Sequence, residues 1–163
     1  MSEQPFLIAE SIWIEVRDAN PTALSLFHRH YSFKPYRDDR TPLLFVGPGE
    51  KMVLLTPDAR ALFVWRKFLS SNKQEGVNCS VFRNEGPDRA SDLIKAAMGF
   101  AWQRWPGERL YTYVNPRKIR STNPGYCFLM AGWKRCGVTK WNRLIILEVG
   151  TGAIPGGLMR WST

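Results

Sequence analysis

Two imidazoles and one carboxylate are the side chains best suited to acid–base chemistry in this sequence. Helical spacing places His28 beside Phe27 on an apolar face, which predicts a core histidine. His30 points away from that face and could act as a base, a phosphate contact or a metal ligand, although an H-x-H pair alone is weak evidence for a metal. Glu85 follows a predicted strand and is the first candidate for a general base, a role in which burial raises the pKa of the carboxyl group. A solvated acid in a turn is the alternative interpretation of Glu85.

Two segments mix cations with aromatic side chains, a combination that suits nucleic acid because cations neutralise phosphates and aromatic rings stack on bases. The first, 28–40, contains Tyr31, Phe33, Lys34, Tyr36 and Arg37, and the second contains Arg117, Lys118 and Arg120 beside Tyr126. The chain has 23 Lys and Arg against 14 Asp and Glu, a net charge of +9. We therefore predict an anionic partner, which is either a nucleic acid or a phosphorylated cofactor.

The composition is that of one globular domain. A chain of 163 residues, with 44% apolar and 23% charged residues, is long enough for one core and too short for two ordinary domains. No run approaches the roughly 18 apolar residues of a membrane helix, and the start of the chain lacks a signal-peptide pattern. The three cysteines form no CxxC pair, so neither a disulfide framework nor a zinc site is predicted. We expect a soluble, cytoplasmic protein.

The periodicity of apolar residues alternates between strand and helix. The predicted strands are 11–17, 43–46, 52–56, 60–68, 77–83, 110–115, 133–138 and 144–149, and the predicted helices are 20–31, 90–105 and 124–131. Asn20 is the expected N-cap of the first helix, and Pro21 suits its first position. A mixed sheet with helices on both faces would bury this pattern, with the long helix connecting two parallel neighbouring strands. Ligands of such sheets bind at the carboxyl ends of the strands, here 83–89 and 115–126, and the tail after Gly150 is predicted to be loose.

The second half of the chain resembles a known family. Tyr113-Val-Asn115, followed by 121–133 with the sequence STNPGYCFLMAGW, resembles the GNAT N-acetyltransferases, whose comparable segment reads roughly N-x-x-x-x-x-x-Y-x-x-x-G-F. The segment 30–34 and the strand and long helix of 78–105 are similar to the Mom-type bacteriophage DNA-modification proteins, a divergent GNAT branch. The resemblance implies a single-domain, GNAT-like α/β fold with a mixed, mostly antiparallel sheet and helices on both faces.

The resemblance also implies a cofactor, acetyl-CoA or another acyl-CoA, bound where two central parallel strands separate. Its pyrophosphate would meet the start of the long helix, at Arg83, Arg89, Ala90 and Ser91, and Ser121 would also hold the cofactor. Asn115 and Asn123 would contact the pantetheine arm; a strand end and a helix cap are their alternative interpretation. Two features depart from the family pattern. Gly86 is the only glycine of the phosphate-binding segment, and Phe128 stands where many members have a tyrosine that protonates the departing thiolate. Tyr126 or Ser121 could supply that proton instead.

A Mom-like member would modify the exocyclic amine of adenine in DNA, which protects a phage genome from restriction. The base would have to be flipped out of the duplex, and Tyr31 and Tyr36 are candidate stacking platforms. Lys34, Arg37, Arg117, Lys118 and Arg120 would bind phosphates, and Glu85, His30 and Tyr126 would transfer protons. One alternative is a CoA-dependent N-acetyltransferase acting on a protein, a small amine or a modified base. The other is a non-enzymatic nucleic-acid-binding protein on the same scaffold.

Overall fold

Seven strands and three helices form the part of the chain that the computed structural model describes, residues 12–35, 38, 42–70, 72–119 and 122–150. The strands are β1 (Ile14–Val16), β2 (Glu50–Leu55), β3 (Ala61–Lys67), β4 (Val77–Asn84), β5 (Leu110–Val114), β6 (Lys134–Val138) and β7 (Ile145–Val149). The helices are α1 (Pro21–His28), α2 (Ala90–Arg104) and α3 (Tyr126–Met130). None of these helices is long and apolar enough to cross a membrane.

All seven strands belong to one sheet, in the order β1-β2-β3-β4-β5-β7-β6. The central pair, β4 and β5, is parallel, and every other neighbouring pair is antiparallel. Helix α2 connects the two parallel strands, as the sequence predicts. The fold is therefore α/β with a mostly antiparallel sheet.

Apolar side chains fill both faces of this sheet. The larger core lies under α2 and α3, where Trp13 and Trp65 donate indole hydrogen bonds to the backbone carbonyls of Leu93 and Ala97, both at 2.9 Å. The smaller core lies under α1 and joins Ala23 and Leu26 to alternate residues of β2, β3 and β4. Helices thus cover both faces, and α1 lies opposite α2 and α3.

Helix α1 begins as its sequence predicts. The side chain of Asn20 accepts hydrogen bonds from the backbone N–H groups of Thr22 and Ala23, each at 3.0 Å, and Pro21 occupies the first turn. The helix ends at His28, three residues before the predicted end at Tyr31. The other predicted helices and strands, with one exception, are present with ends within three residues of those predicted.

The exception is the predicted strand 43–46, which is wrong. The carboxylate of Asp18 accepts the backbone N–H groups of Phe45 and Val46, at 2.9 and 3.0 Å, so these amides do not join the sheet. Lys51 neutralises the same carboxylate at 3.2 Å. Strand β2 instead pairs with β1, and the meander has two of the three strands predicted. The tail predicted to be loose lies outside the described residues from position 151 onward.

Candidate functional site

The two parallel strands separate halfway along their length. Their ladder pairs Val77 with Leu110, Asn78 with Tyr111 and Cys79 with Thr112, and it ends there although both strands continue. The hydroxyl of Thr112 donates to the carbonyl of Cys79 at 2.8 Å and closes the paired end. Beyond this point a cleft opens between β4 and β5.

A β-bulge lies at the point of separation. Across β3 and β4, Val64 pairs with Val81 but Trp65 pairs with Cys79, so Ser80 has no partner opposite it. An extra residue bends the bulged strand and reverses the alternation of side chains after it. The bulge therefore turns β4 away from β5 and leaves Ser80 in the wall of the cleft.

One side of the cleft is a largely apolar cavity of about 340 Å³ on the face covered by α3. It is lined by His30, Tyr31, Cys79, Ser80, Val81, Phe82, Thr112, Tyr113, Val114, Ile119, Asn123, Gly125, Tyr126, Cys127 and Phe128. The position of Tyr126 at the start of α3 depends on Gly125, which has a φ of +81° that favours glycine. We call this space the apolar cavity.

The other side is a cavity of about 440 Å³ below the segment that follows α1. It is lined by His30, Tyr31, Ser32, Lys34, Asn78, Cys79, Ser80, Tyr113, Asn115, Arg117, Lys118, Asn142 and Leu144. Three of these residues are cationic and none is acidic. Lys34 and Lys118 form no ion pair within the described residues, so their charge is available to an anion. We call this space the cationic cavity.

The two cavities share one wall, which we call the junction and which consists of His30, Tyr31, Cys79, Ser80 and Tyr113. Burial raises the pKa of the Cys79 thiol, so this group stays protonated and is not a nucleophile. The hydroxyl of Tyr113 donates to Asn72 at 2.9 Å. The remaining polar groups of the junction are the imidazole of His30 and the hydroxyls of Tyr31 and Ser80.

His30 is held in one orientation. Its Nδ1 accepts the backbone N–H of Ser32 at 3.1 Å and lies 2.8 Å from the Ser32 hydroxyl, so the proton of the neutral ring is on Nε2. Burial, assisted by the nearby charge of Arg83, lowers the pKa of His30 to about 4. The imidazole is therefore neutral at pH 7. Its Nδ1 faces Ser32, which makes His30 a support of the wall more than a free base.

Tyr31 lies at the junction, with its hydroxyl near the backbone of Asn115. Burial raises the pKa of the phenol. The ring is stacked on His30 with 4.4 Å between centroids, so one of its faces is already covered. Tyr31 is therefore placed to hold or donate a proton between the cavities. As the predicted stacking platform for a base, its ring offers one free face at most.

Glu85 does not have the properties of a general base, and that prediction is corrected. Arg29 binds both of its carboxylate oxygens at 2.7 and 2.9 Å, and Arg83 binds one of them at 2.9 Å. These contacts lower the pKa of Glu85 to about 2. A base needs a raised pKa near the working pH, so Glu85 instead joins the end of α1 to the end of β4.

The start of α2 offers little to a pyrophosphate. Arg83 is bound to Glu85, and Arg89 is exposed at the N-cap without a capping hydrogen bond. The side chain of Asn84 already occupies the loop by accepting the N–H of Gly86 and donating to the carbonyl of Asp88. The hollow beside this helix start is lined by three acids, Asp58, Asp88 and Asp92. Ala90 and Ser91 are half-buried and buried, respectively, in this acid-rich setting.

The remaining predicted residues divide between the two cavities. Tyr126, which is 54% exposed, and Asn123 line the apolar cavity, whereas Lys34, Asn115, Arg117 and Lys118 line the cationic cavity. Asn115 caps its own loop by accepting the N–H of Arg117 at 3.0 Å. His28 is exposed, so the predicted core histidine is wrong: α1 ends there and its ring packs on Phe33 at 4.4 Å. Tyr36, Arg37, Arg120 and Ser121 lie outside the described residues.

Ser80, Tyr113 and Asn142 line the cleft without having been predicted as site residues. Ser80 belongs to β4, and only the pairing across the sheet reveals it as the bulged residue. Tyr113 and Asn142 come from a strand and a turn whose sequences resemble ordinary structural elements. The one available signal was the polar side of the alternating strand 77–83, which includes Asn78 and Ser80.

Comparison with known proteins does not assign this chain to a family. No protein-family model matches the chain, and no curated protein matches it. Within the described residues, no group of three or more His, Cys, Asp or Glu side chains could hold a metal ion. Any function must therefore be inferred from the chemistry of the cleft.

Proposed function

We propose that this protein is a GNAT-type transferase that modifies DNA, transferring a group from an acyl-CoA-type donor to the exocyclic amine of a flipped adenine. The observation that carries the proposal is the pair of cavities that meet at the separation of β4 and β5. One cavity is apolar and the other cationic, and both open onto the same hydroxyls. Two substrates of opposite character can thus meet at one point.

The topology supports the GNAT part of the proposal. The sequence resemblance calls for two central parallel strands that separate, joined by a long helix and followed by a short helix beside the cleft. Strands β4 and β5, helix α2 and helix α3 have these positions. A cleft at the carboxyl ends of parallel strands is also where open α/β sheets bind ligands.

The apolar cavity suits the arm of an acyl-CoA, and the start of α2 does not suit its pyrophosphate. Phe82, Val114 and Phe128 provide apolar walls, and Asn123 and Tyr126 provide polar groups at the side of α3. When bound, an acyl-CoA supplies an acyl group as a thioester. Asp58, Asp88 and Asp92 oppose the attraction of the helix N-terminus for phosphate, so the fit covers only the arm.

The cationic cavity suits a nucleotide. Its volume of about 440 Å³ is within the usual range for small-molecule sites, and its cations are placed to neutralise phosphates. The buried side chain of Asn78 lies in its wall, and Oδ1 of Asn78 accepts no hydrogen bond within the described residues. An unpaired buried acceptor lowers the free energy of unfolding. A rotation of the Asn78 amide would turn Oδ1 towards a donor in the cavity, such as an exocyclic amine.

The residues at and near the junction have different roles in the proposed transfer. Forming the bond from the amine nitrogen to the acyl carbon breaks the carbon–sulfur bond of the thioester. Tyr31 would give its proton to the departing thiolate and take up the proton that the amine releases, and Ser80 adds a second hydroxyl at the bulge. His30 supports Tyr31 by ring stacking and stays neutral. Glu85 takes no part in proton transfer, because its two arginine partners occupy its oxygens and lower its pKa, which makes it a weak base.

A second candidate has one observation in its favour. A nucleic-acid-binding protein without catalytic activity would need the cationic cavity but no pyrophosphate site. The three acids at the start of α2 are consistent with that function. Binding of coenzyme A separates the two candidates, since only the enzyme requires it.

Calorimetric titration with coenzyme A and with duplex DNA tests the assignment of the cavities. Tyr126→Ala, which changes only the apolar cavity, is expected to weaken coenzyme A binding and leave DNA binding unchanged. Lys118→Ala, which changes only the cationic cavity, is expected to have the opposite effect. Loss of coenzyme A binding in Lys118→Ala with DNA binding intact would assign the cationic cavity to the cofactor and overturn the proposal. No binding of coenzyme A to the unmodified protein would favour the second candidate.

A further inference from the structure

The turn between β6 and β7 carries an exposed tryptophan flanked by cations. Trp141 is 84% exposed, and its neighbours in the turn, Lys140 and Arg143, are exposed as well. An exposed indole combines a large apolar surface with a polar N–H, a combination that is enriched at interfaces, so a partner that covers this ring gains a large contact area. The two cations make that partner anionic.

The turn is closed by hydrogen bonds and is joined to the wall of the cationic cavity by another. Thr139 and Leu144 close it with two hydrogen bonds of 2.8 Å, one from the Thr139 N–H to the Leu144 carbonyl and one from the Leu144 N–H to the Thr139 hydroxyl. Arg117, in the cavity wall, donates to the carbonyl of Asn142 at 2.7 Å. Asn142 itself lines the cavity, so Trp141 directly precedes a residue of the cavity wall.

The indole is also held from within the turn. The ammonium of Lys140 lies 5.2 Å from the centroid of the Trp141 ring, within the range of a cation–π contact. Arg143 adopts a left-handed φ of +56°, a conformation that costs most residues about 1 kcal/mol or more. A glycine would fit this position more easily, and Arg143 adds a second cation to the turn.

We propose that Trp141 is a wedge that inserts into duplex DNA and fills the gap left by the base that has moved into the cationic cavity. This inference rests on the proposed function and specifies its partner as duplex DNA. Extruding a base unstacks its neighbours, and an apolar side chain inserted between base steps offsets that cost. Lys140 and Arg143 bind the phosphates on either side of the gap. Single strands have no stack to open and do not require a wedge.

Fluorescence of a short duplex that carries 2-aminopurine in place of adenine measures the insertion, because this base brightens when it leaves the stack. The unmodified protein is expected to raise the fluorescence. Trp141→Ala is expected to abolish the rise and to weaken duplex binding on the order of 10-fold, whereas Trp141→Phe retains most of both. Leu69→Ala, at an 83% exposed apolar residue after β3, is the matched control and should change neither.

Two other outcomes overturn the wedge. Equal losses of affinity for the duplex and for a single strand of the same sequence would make Trp141 a stacking platform for single strands. Unchanged DNA affinity in Trp141→Ala would assign the turn to another partner, such as an acidic protein. A normal fluorescence rise without any modified nucleoside would leave the wedge in place and refute only the transferase activity.

Discussion

The salt dependence of DNA binding reports how many cations of this surface contact phosphate. Five described cations belong to the wall of the cationic cavity or to the adjoining turn between β6 and β7, and we call them the cationic face: Lys34, Arg117 and Lys118 in the wall, and Lys140 and Arg143 in the turn. The perturbation is the double variant Lys34→Ala, Lys118→Ala. Neither lysine forms an ion pair within the described residues, so their removal should leave the fold unchanged.

The expected effect follows from counterion release. Each phosphate contact contributes about −0.9 to the slope of log K against log salt, so five contacts give a slope of about −4.5. The double variant removes two contacts, and its slope should be about −2.7. A fourfold rise in salt then lowers the DNA affinity about 500-fold for the unmodified protein and about 40-fold for the double variant.

Fluorescence anisotropy of a labelled duplex, recorded over a series of salt concentrations, measures both slopes. Lys95→Ala is the control, because this exposed lysine belongs to α2 on the opposite face of the sheet. Its slope should equal that of the unmodified protein. Equal slopes for all three proteins, or an equal change in the control, would refute the assignment of the cationic face to DNA.

Three further predictions concern the support of the cleft. Gly125→Ala should lower the free energy of unfolding in urea by about 2–4 kcal/mol, because a Cβ there lies 2.6 Å from Leu147 at a positive φ. Gly132→Ala, at a positive φ without a close neighbour, should cost only about 1 kcal/mol, and equal losses would argue against the clash. Because folding lowers the pKa of Glu85, its ion pairs stabilise the fold above pH 4.5 and lose this effect as the pH falls towards 2. The Tm of Glu85→Gln should therefore lie below that of the unmodified protein at neutral pH, and the difference should narrow towards pH 2. NMR titration of His30 should give a pKa near 4, and stability from the neutral ring should fall as the pH drops below 6.5; a pKa near 6.5 would contradict its burial.

Local sequence patterns predict most of the helices and strands. Helix α2 follows from apolar residues at helical spacing over four turns, and α1 begins where Asn20 and Pro21 predict. The segment 43–46 has the composition of a strand but does not form one, because a carboxylate distant in the sequence binds its backbone N–H groups. Asp18 lies 27 residues away from Phe45 in the chain, and its hydrogen bonds replace those of a sheet.

The candidate site was harder to predict because its properties depend on pairing between distant segments. Arg29 and Glu85 are 56 residues apart, and their contact is what lowers the pKa of the predicted base. Ser80 becomes a cleft residue only through the register of β4 against β3. The cations at 117 and 118 were found because charge and exposure can be inferred from the residue type alone.

Mass spectrometry of nucleosides from the DNA of cells that express the protein tests the proposed activity most directly. The comparison is the double variant Tyr31→Phe, Ser80→Ala, which removes the two junction hydroxyls assigned to the transfer. It leaves the Tyr113 hydroxyl on Asn72 and the shape of the junction nearly unchanged. We predict a modified adenine nucleoside with the unmodified protein and a strongly reduced amount with the variant, at equal protein levels. No new nucleoside with the unmodified protein, or equal amounts with both proteins, would contradict group transfer at the junction of the two cavities.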